Sequence, residues 1–395
     1  MHIGVLAETG ERERRVSLTP SGVRALYGAG HAVAIESGAG VTAGFPDQAY
    51  VDVGADVDER GEVVDGASVV ITVNGPDERA LQSAPWSAIG SGHVVVGLHD
   101  PLGRPARAEA LAATDATAIS LELVPRITRA QSMDVLSSMA TVAGYQAVLL
   151  GSTRIQKMIP MLMTAAGTVP PARFLVLGAG VAGLQAIASA RRLGAVVEAY
   201  DIRPAAQEQI RSLGAKAVDL ELADDDAEDA GGYATEQSDD QNRRQHELLA
   251  PHVADADVVI TTATVPGAAS PELVTPEMIE SMRPGSVIVD LAAELGGNTR
   301  LTRADDEIEH RGVLILGPTD LTSRAPMTAS QMFSTNMVSL LRHLAPDGEL
   351  VLDLNDEITA GTVLTMGGEV RHPAVRSRLG LPELSVTPPN QEEEE

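Results

Sequence analysis

Arg173-Phe174-Leu175-Val176-Leu177-Gly178-Ala179-Gly180-Val181-Ala182-Gly183 is the stretch whose reading decides the fold. A short apolar strand runs directly into glycines spaced G-x-G-x-x-G, and a helix-length segment, Leu184–Leu193, follows. The spacing carries a mechanism. Gly178 permits a tight turn, Gly180 lets the backbone approach a pyrophosphate, and Gly183 lets the helix pack close to the strand. The helix N-terminus then turns its unpaired N–H groups to the phosphates. An acid completes the pattern: Asp201 ends Glu198-Ala199-Tyr200-Asp201, 18 residues beyond Gly183. Its carboxylate is placed to accept hydrogen bonds from both ribose hydroxyls of NAD and to repel the 2′-phosphate of NADP. Arg203 argues the other way, since an arginine accommodates a 2′-phosphate, yet the balance favours NAD. The residues expected along the dinucleotide are Gly178, Ala179, Gly180, Val181, Gly183, Asp201, Ile202 and Arg203.

Outward from this core, strand-like and helix-like segments alternate, which predicts α/β layers with parallel sheets. Before it lie strands at Ala32–Glu36, Ser68–Val73 and His93–Leu98, and a helix opened by Thr19-Pro20-Ser21 and ended by Gly28-Ala29-Gly30. Apolar residues at helical spacing, among them Met133, Leu136, Met139, Ala143 and Val148, predict a long connecting helix over Ser132–Leu150. After it come strands at Ala195–Tyr200, Val258–Thr262, Val287–Leu291 and Val313–Leu316. A helix over Ser330–Leu344 returns the chain to the first domain, where Leu350–Leu354 and Thr362–Met366 read as strands. No internal repeat of fixed period is present.

The chain has 395 residues, which at roughly 150 residues per domain predicts two or three domains. There is no cysteine, so disulfides, thiolate catalysis and cysteine metal sites are excluded. No metal site is expected: the nine histidines form no HxxxH or HExxH pair. Gly-x-Ser-x-Gly and P-loop patterns are absent as well. The net charge is −26, with two lysines among 29 basic residues and 2% aromatics. Such a surface repels nucleic acid and anionic lipid. It fits adaptation to high salt, where ions screen self-repulsion within about 3 Å at molar strength. The start, Met1-His2-Ile3-Gly4-Val5-Leu6, enters a strand without a basic region or long apolar run, which predicts a cytoplasmic chain. No run of about 18 apolar residues free of Arg, Asp, Glu or Pro is found, so any membrane association is expected to be peripheral.

The residues resemble a known family. Glu13-Arg14-Arg15-Val16-Ser17-Leu18-Thr19-Pro20 is similar to the start shared by alanine dehydrogenases and transhydrogenase α subunits. Three further stretches resemble the NAD(H)-binding domain I of proton-translocating nicotinamide nucleotide transhydrogenase: Val124 to Asp134 (VPRITRAQSMD), Pro160 to Thr168 (PMLMTAAGT) and Glu228 to Ala234 (EDAGGYA). The likeness covers residues 1 to about 375. It implies direct hydride transfer between NAD(H) on this chain and NADP(H) on a partner β subunit, coupled to proton movement through membrane-spanning subunits. By the same resemblance the loop Arg126 to Ser137 folds over the nicotinamide, with Arg126, Gln131, Asp134 and Ser137 orienting the ring. Ile127, Thr128 and Arg129 belong to the same loop. The segment Glu228–Asp240 around Tyr233 resembles a mobile loop that closes over nucleotide, a role its Gly-rich acidic composition also suits. Gly232, Glu247 and Thr264 are carried over to the adenosine or nicotinamide side of the site. Relatives of this type are dimers, so a homodimer is expected.

Hydride exchange between two nicotinamides needs no general acid or base; it needs two rings at near-attack distance with water excluded. An alanine dehydrogenase differs, because it must deprotonate an amino group. Relatives of that kind use a lysine and a histidine in the first domain, the lysine in a pattern resembling Val-Lys-x-Lys-Glu-Pro. Here the stretch reads Val70-Ile71-Thr72-Val73-Asn74-Gly75-Pro76, and Asn74 transfers no proton at neutral pH. His99 and Arg15 survive, so the dehydrogenase stands as the alternative. A non-catalytic NAD-binding regulator is a third reading, with no use for the polar loop Arg126–Ser137. Asp290 and Glu294 read as ordinary strand-end acids, His99 as a polar residue at a strand end, and Trp86 as packing.

The expected architecture is α/β, two Rossmann-like doubly wound parallel-sheet domains with a cleft between them. Residues 1–139 plus 328–380 form the first, discontinuous domain, and 140–327 the NAD(H)-binding one. Residues 381–395 form a disordered acidic tail ending in Glu392–Glu395 without membrane helices, so the membrane-spanning subunits are expected on separate polypeptides.

Overall fold

The computed structural model describes residues 1–219, 239–265 and 267–384. Of the expected tail, residues 385–395 therefore lie outside the described residues. The chain divides into two units: one takes Met1–Thr9, Arg15–Val135 and the chain from Phe333 onward, the other Gly10–Arg14 and Leu136–Met332.

In the first unit the strands β1 (His2–Val5), β2 (Ala32–Glu36), β3 (Asp56–Asp58), β4 (Val69–Asn74), β5 (Val94–Leu98) and β6 (Thr117–Ser120) alternate with helices Pro20–Tyr27, Arg60–Gly66 and Ala106–Ala112. Val69, Val70, Ile71, Val95 and Val96 are all fully buried. That continuous run of β-branched residues is what a parallel strand covered on both faces requires. The helix Pro20–Tyr27 starts with Pro at its first position, as the sequence signals. Thr19 is its N-cap residue but makes no side-chain cap; its hydroxyl lies 2.9 Å from Ser21 Oγ and 3.2 Å from Ser334 Oγ.

The second unit contains most of the helix Val135–Arg154, then β7 (Leu162–Thr164) and β8 (Gly167–Val169), a hairpin that the sequence reading missed. Its main sheet holds β9 (Arg173–Leu177), β10 (Val196–Tyr200), β11 (Lys216–Ala217), β12 (Val258–Thr261), β13 (Val287–Asp290), β14 (Glu307–His310) and β15 (Val313–Leu316). The order is β11-β10-β9-β12-β13-β15-β14. Without β14 this is the 3-2-1-4-5-6 arrangement of a dinucleotide-binding sheet, with its switch point between β9 and β12. β14 runs antiparallel to β15 across a two-residue turn, Arg311-Gly312, both with positive φ (53° and 81°).

The chain returns to the first unit as β16 (Val363–Met366) and β17 (Glu369–Val370), joined at Gly367-Gly368. They extend the first sheet to β17-β16-β6-β5-β4-β1-β2-β3. Its parallel strands repeat the same doubly wound order, so both sheets are parallel-dominated and each carries an antiparallel edge.

Two expectations need correction. Leu350–Leu354 is not a strand: Asp353 turns the chain by accepting the Asn355 N–H at 2.9 Å. The long helix is Val135–Arg154, uncharged until Arg154, and by length and composition it is apolar enough to cross a bilayer. One face of it packs inward, with Ala147 and Val148 in the second unit's core, while Leu136 and Tyr145 are exposed. A Cβ on Gly144 would meet the Ala182 carbonyl at 2.1 Å, and one on Gly151 would meet Val258 at 2.9 Å.

Candidate dinucleotide site

The site is built at the carboxyl ends of β9, β10 and β12. β9 stops at Leu177, and Gly178 takes φ +97°, a conformation that a side chain disfavours. A Cβ there would also stand 2.5 Å from Thr262 Oγ1, and one on Gly183 only 1.9 Å from the Gly178 carbonyl oxygen. Gly180 differs: nothing lies within 4 Å of the place its Cβ would occupy. Two glycines are thus demanded by close packing and the middle one opens onto free space. The helix begins at once, Val181–Arg192, with Gly180 as its N-cap residue and no acid in its first turn. Its first N–H groups have no intrahelical partner, and the dipole adds partial positive charge there. This cradle fits a pyrophosphate.

The turn is fixed from β12. Thr262 Oγ1 donates to the carbonyls of Gly178 (3.1 Å) and Leu177 (3.3 Å). The next residue, Ala263, is held through both backbone groups by one side chain: its N–H donates to Asn298 Oδ1 (3.1 Å) and its carbonyl accepts from Asn298 Nδ2 (2.9 Å). Asn298 is in turn held by Asp290, whose Oδ2 accepts the Asn298 N–H (2.7 Å) and Thr302 Oγ1 (2.6 Å). Oδ1 accepts Thr261 Oγ1 (2.9 Å) and the Ala292 N–H (3.0 Å). Asp290 is therefore fully buried and fully satisfied, the anchor of a network rather than an ordinary strand-end acid. The signal that could have found it was a buried-type strand, Val-Ile-Val-Asp, followed by Asn and Thr donors.

Asp201 sits at the end of β10, where the pattern places it. It is buried and takes the Ala179 N–H on Oδ2 at 2.7 Å, which couples it to the glycine turn. Arg203 pairs with it through the side chain at 2.9 Å. Ile202 between them is half-buried. Glu247, on the helix Asp239–Asp255, and Thr264, after β12, are both exposed. Gly232 and Tyr233 lie outside the described residues. Of the expected loop Glu228–Asp240, residues 228–238 lie outside the described residues, and Asp239 and Asp240 belong to that helix.

The polar loop belongs to the first unit as far as Val135. A 3-10 turn, Thr128–Met133, buries Ala130 and Met133 and leaves Arg126, Thr128, Arg129 and Gln131 exposed. Ile127 and Asp134 are half-buried, and Ser137 lies in the helix Val135–Arg154. Arg129 pairs with Asp356 Oδ1 at 3.3 Å. Asp356 also caps the helix Glu357–Thr362 by accepting the Ile358 and Thr359 N–H groups; the Thr359 bond first, then His343 and Arg129, holds its carboxyl well below the usual range.

The groups that an amino-acid dehydrogenase would use are differently engaged. Asn74 donates from its side chain to Glu8 Oε2 at 3.2 Å, and Glu8 Oε1 accepts the Val73 N–H at 2.7 Å. His99 is completely buried, and neither ring nitrogen reaches good hydrogen-bond geometry with a protein group. Burial, and then the nearby Arg107, push its pKa down to about 4. Arg15 is buried as well, and so is Trp86.

Fold and site together define a two-unit Rossmann protein of the dinucleotide-binding class. The family "Alanine dehydrogenase/PNT, N-terminal domain" matches residues 4–143, and "Alanine dehydrogenase/PNT, C-terminal domain" matches residues 147–373. An NAD(P) transhydrogenase subunit alpha chain of Rhodospirillum rubrum is 42% identical over 379 residues, 95% of this chain and 99% of its own. The crystal structure of a transhydrogenase from Sinorhizobium meliloti superimposes with a TM-score of 0.82 at 41% identity, over 95% of this chain and all of that one. The alanine dehydrogenase of Bacillus subtilis is more distant, 30% identical over 96% of this chain and 95% of its own. The chain belongs to the alanine dehydrogenase/PNT family of oxidoreductases and, within it, to the transhydrogenase α subunits.

Proposed function

We propose that this chain is the NAD(H)-binding subunit of a proton-translocating transhydrogenase. The single observation that carries the reading is the glycine cradle closed by Asp201, in a chain 42% identical to a transhydrogenase α subunit along nearly its whole length. NAD(H), when bound, supplies the hydride that passes to or from NADP(H) on a partner β subunit, with membrane-spanning subunits coupling the transfer to proton movement. The chain's own residues bind and orient. Gly178, Ala179, Gly180, Val181 and Gly183 hold the pyrophosphate, and Asp201, Ile202 and Arg203 surround the adenosine ribose. Arg126, Gln131, Asp134 and Ser137 orient the nicotinamide, with Ile127, Thr128 and Arg129 supporting the loop. Glu247, Thr264, Gly232 and Tyr233 complete the site. No residue moves a proton in this scheme, in keeping with the deeply buried, neutral His99.

The chain is placed on the cytoplasmic face of the membrane, held there peripherally by its partners. A homodimer is proposed, and the β7–β8 hairpin supports it: Met161 and Met163 are 58% and 80% exposed there, an apolar edge suited to a second copy. The charge of −26 supports function at high salt.

Titration of the purified chain with NADH and NADPH, at high salt, tests the binding half of the reading. Tight NADH binding with weak NADPH binding is expected, and no oxidation of NADH by pyruvate and ammonium. Turnover with pyruvate and ammonium would establish the amino-acid dehydrogenase instead.

A further inference from the structure

Asp201 has no acceptor position left for a ligand. A carboxylate offers about four lone-pair sites. Here Oδ2 accepts from the Ala179 N–H at 2.7 Å and Arg203 Nη2 at 2.9 Å. Oδ1 accepts from the Arg203 N–H and from Arg203 Nε, both at 2.9 Å. Two of these four donors are backbone groups that cannot leave. One belongs to the glycine turn; the other closes an Asx turn into the helix Pro204–Ser212. The remaining two belong to one guanidinium, which engages both carboxylate oxygens in the fork geometry of a bidentate pair. Its side chain is 20% exposed, whereas that of Asp201 is 7% exposed, so the guanidinium is the group with a way out.

We propose that Arg203 is a built-in competitor for the adenosine ribose and thereby a specificity-determining residue. The inference rests on the reading that this cradle binds NAD(H). In the free protein the guanidinium occupies the carboxylate; a ribose diol takes its place by donating two hydrogen bonds to the same oxygens. A ribose bearing a 2′-phosphate has lost one of those donors and brings negative charge to Asp201. It therefore displaces Arg203 poorly, and a paired Arg203 is not offered to the phosphate. The residue that would by itself favour NADP is held out of use by the residue that selects NAD.

The test is equilibrium titration of the full chain with NADH and NADPH, followed by nucleotide fluorescence, for the native protein, Arg203→Leu, Arg203→Gln, Asp201→Asn and the double variant Asp201→Asn/Arg203→Leu. Freeing Asp201 from a half-buried ion pair is expected to tighten NADH binding about five-fold in Arg203→Leu. Arg203→Gln retains a polar stem at the same helix start and is expected to tighten it in the same direction. Asp201→Asn is expected to weaken NADH at least ten-fold and to gain NADPH binding through the released Arg203, a gain that the double variant loses. If both Arg203 variants stay folded by thermal melting and bind NADH as weakly as the native chain, or more weakly, the competitor role is overturned while the NAD(H) reading stands. If the native chain binds no NADH at all, both fall together.

Discussion

Gly183 lies beneath the carbonyl of Gly178 with no room for a side chain: a Cβ on Gly183 would stand 1.9 Å from that oxygen. Backbone, not a flexible side chain, is what it would strike. Gly183→Ala is therefore expected to push the helix Val181–Arg192 off β9 and to raise the dissociation constant for NADH by at least about ten-fold. Gly180→Ala is the informative contrast, since its Cβ meets no protein atom. It is expected to leave the melting temperature unchanged and to weaken NADH through collision with the nucleotide alone. Paired titration and thermal melting of the two variants check this.

Asp290 is expected to matter for stability before it matters for binding. Asn at this position would replace an acceptor oxygen by a donor facing two donors, in a fully buried place. Asp290→Asn is expected to cost about 2–4 kcal/mol in urea unfolding of the second unit. It should also loosen Asn298 and, through it, Ala263. Unfolding curves that overlay the native ones would show that the network does not anchor the site.

His99 makes a pH prediction. Its folded-state pKa is lowered from 6.5 to about 4, so between these values the unfolded chain binds more protons than the folded one. Its contribution to stability is complete above pH 6.5 and is lost as the pH falls toward 4, by roughly 3 kcal/mol at most. Glu122, whose carboxyl burial pushes up, works in the opposite sense, so the native-minus-variant difference is the quantity to read. His99→Leu is expected to flatten the fall in melting temperature between pH 6.5 and 4. An unchanged slope would mean that the imidazole is reached by water.

Gln131 and Asp134 separate turnover from binding. If they orient the nicotinamide, Gln131→Ala and Asp134→Asn should lower hydride transfer to partner membranes at least about ten-fold and change NADH affinity less than about three-fold. Equal losses in both quantities would make them binding groups only.

Much of this was legible in the sequence because its signals are local. The glycine spacing, the strand before it and the acid at the end of β10 lie within Arg173–Asp201, and each has a short-range steric or hydrogen-bonding reason. What was missed depends on partners distant in sequence. Thr262 meets Gly178 across 84 residues, and Asp290 meets Thr261 across 29, distances at which no periodicity speaks. β14 was missed because its turn is Arg-Gly rather than Asn-Gly, and the β7–β8 hairpin because its strands have three residues each. Asp201 reads from the sequence as an acceptor for the ribose hydroxyls; its bond from the Ala179 N–H and its saturation by Arg203 are matters of geometry that spacing does not carry.

The most direct measurement adds the purified chain, at high salt, to membranes of its own source stripped of it, and follows NADPH-driven reduction of an acetylpyridine analogue of NAD. Reduction is expected only when both components are present, and is expected to be lost with Gly183→Ala. Absence of reduction with membranes and chain together, under conditions where the chain binds NADH, would contradict the transhydrogenase role.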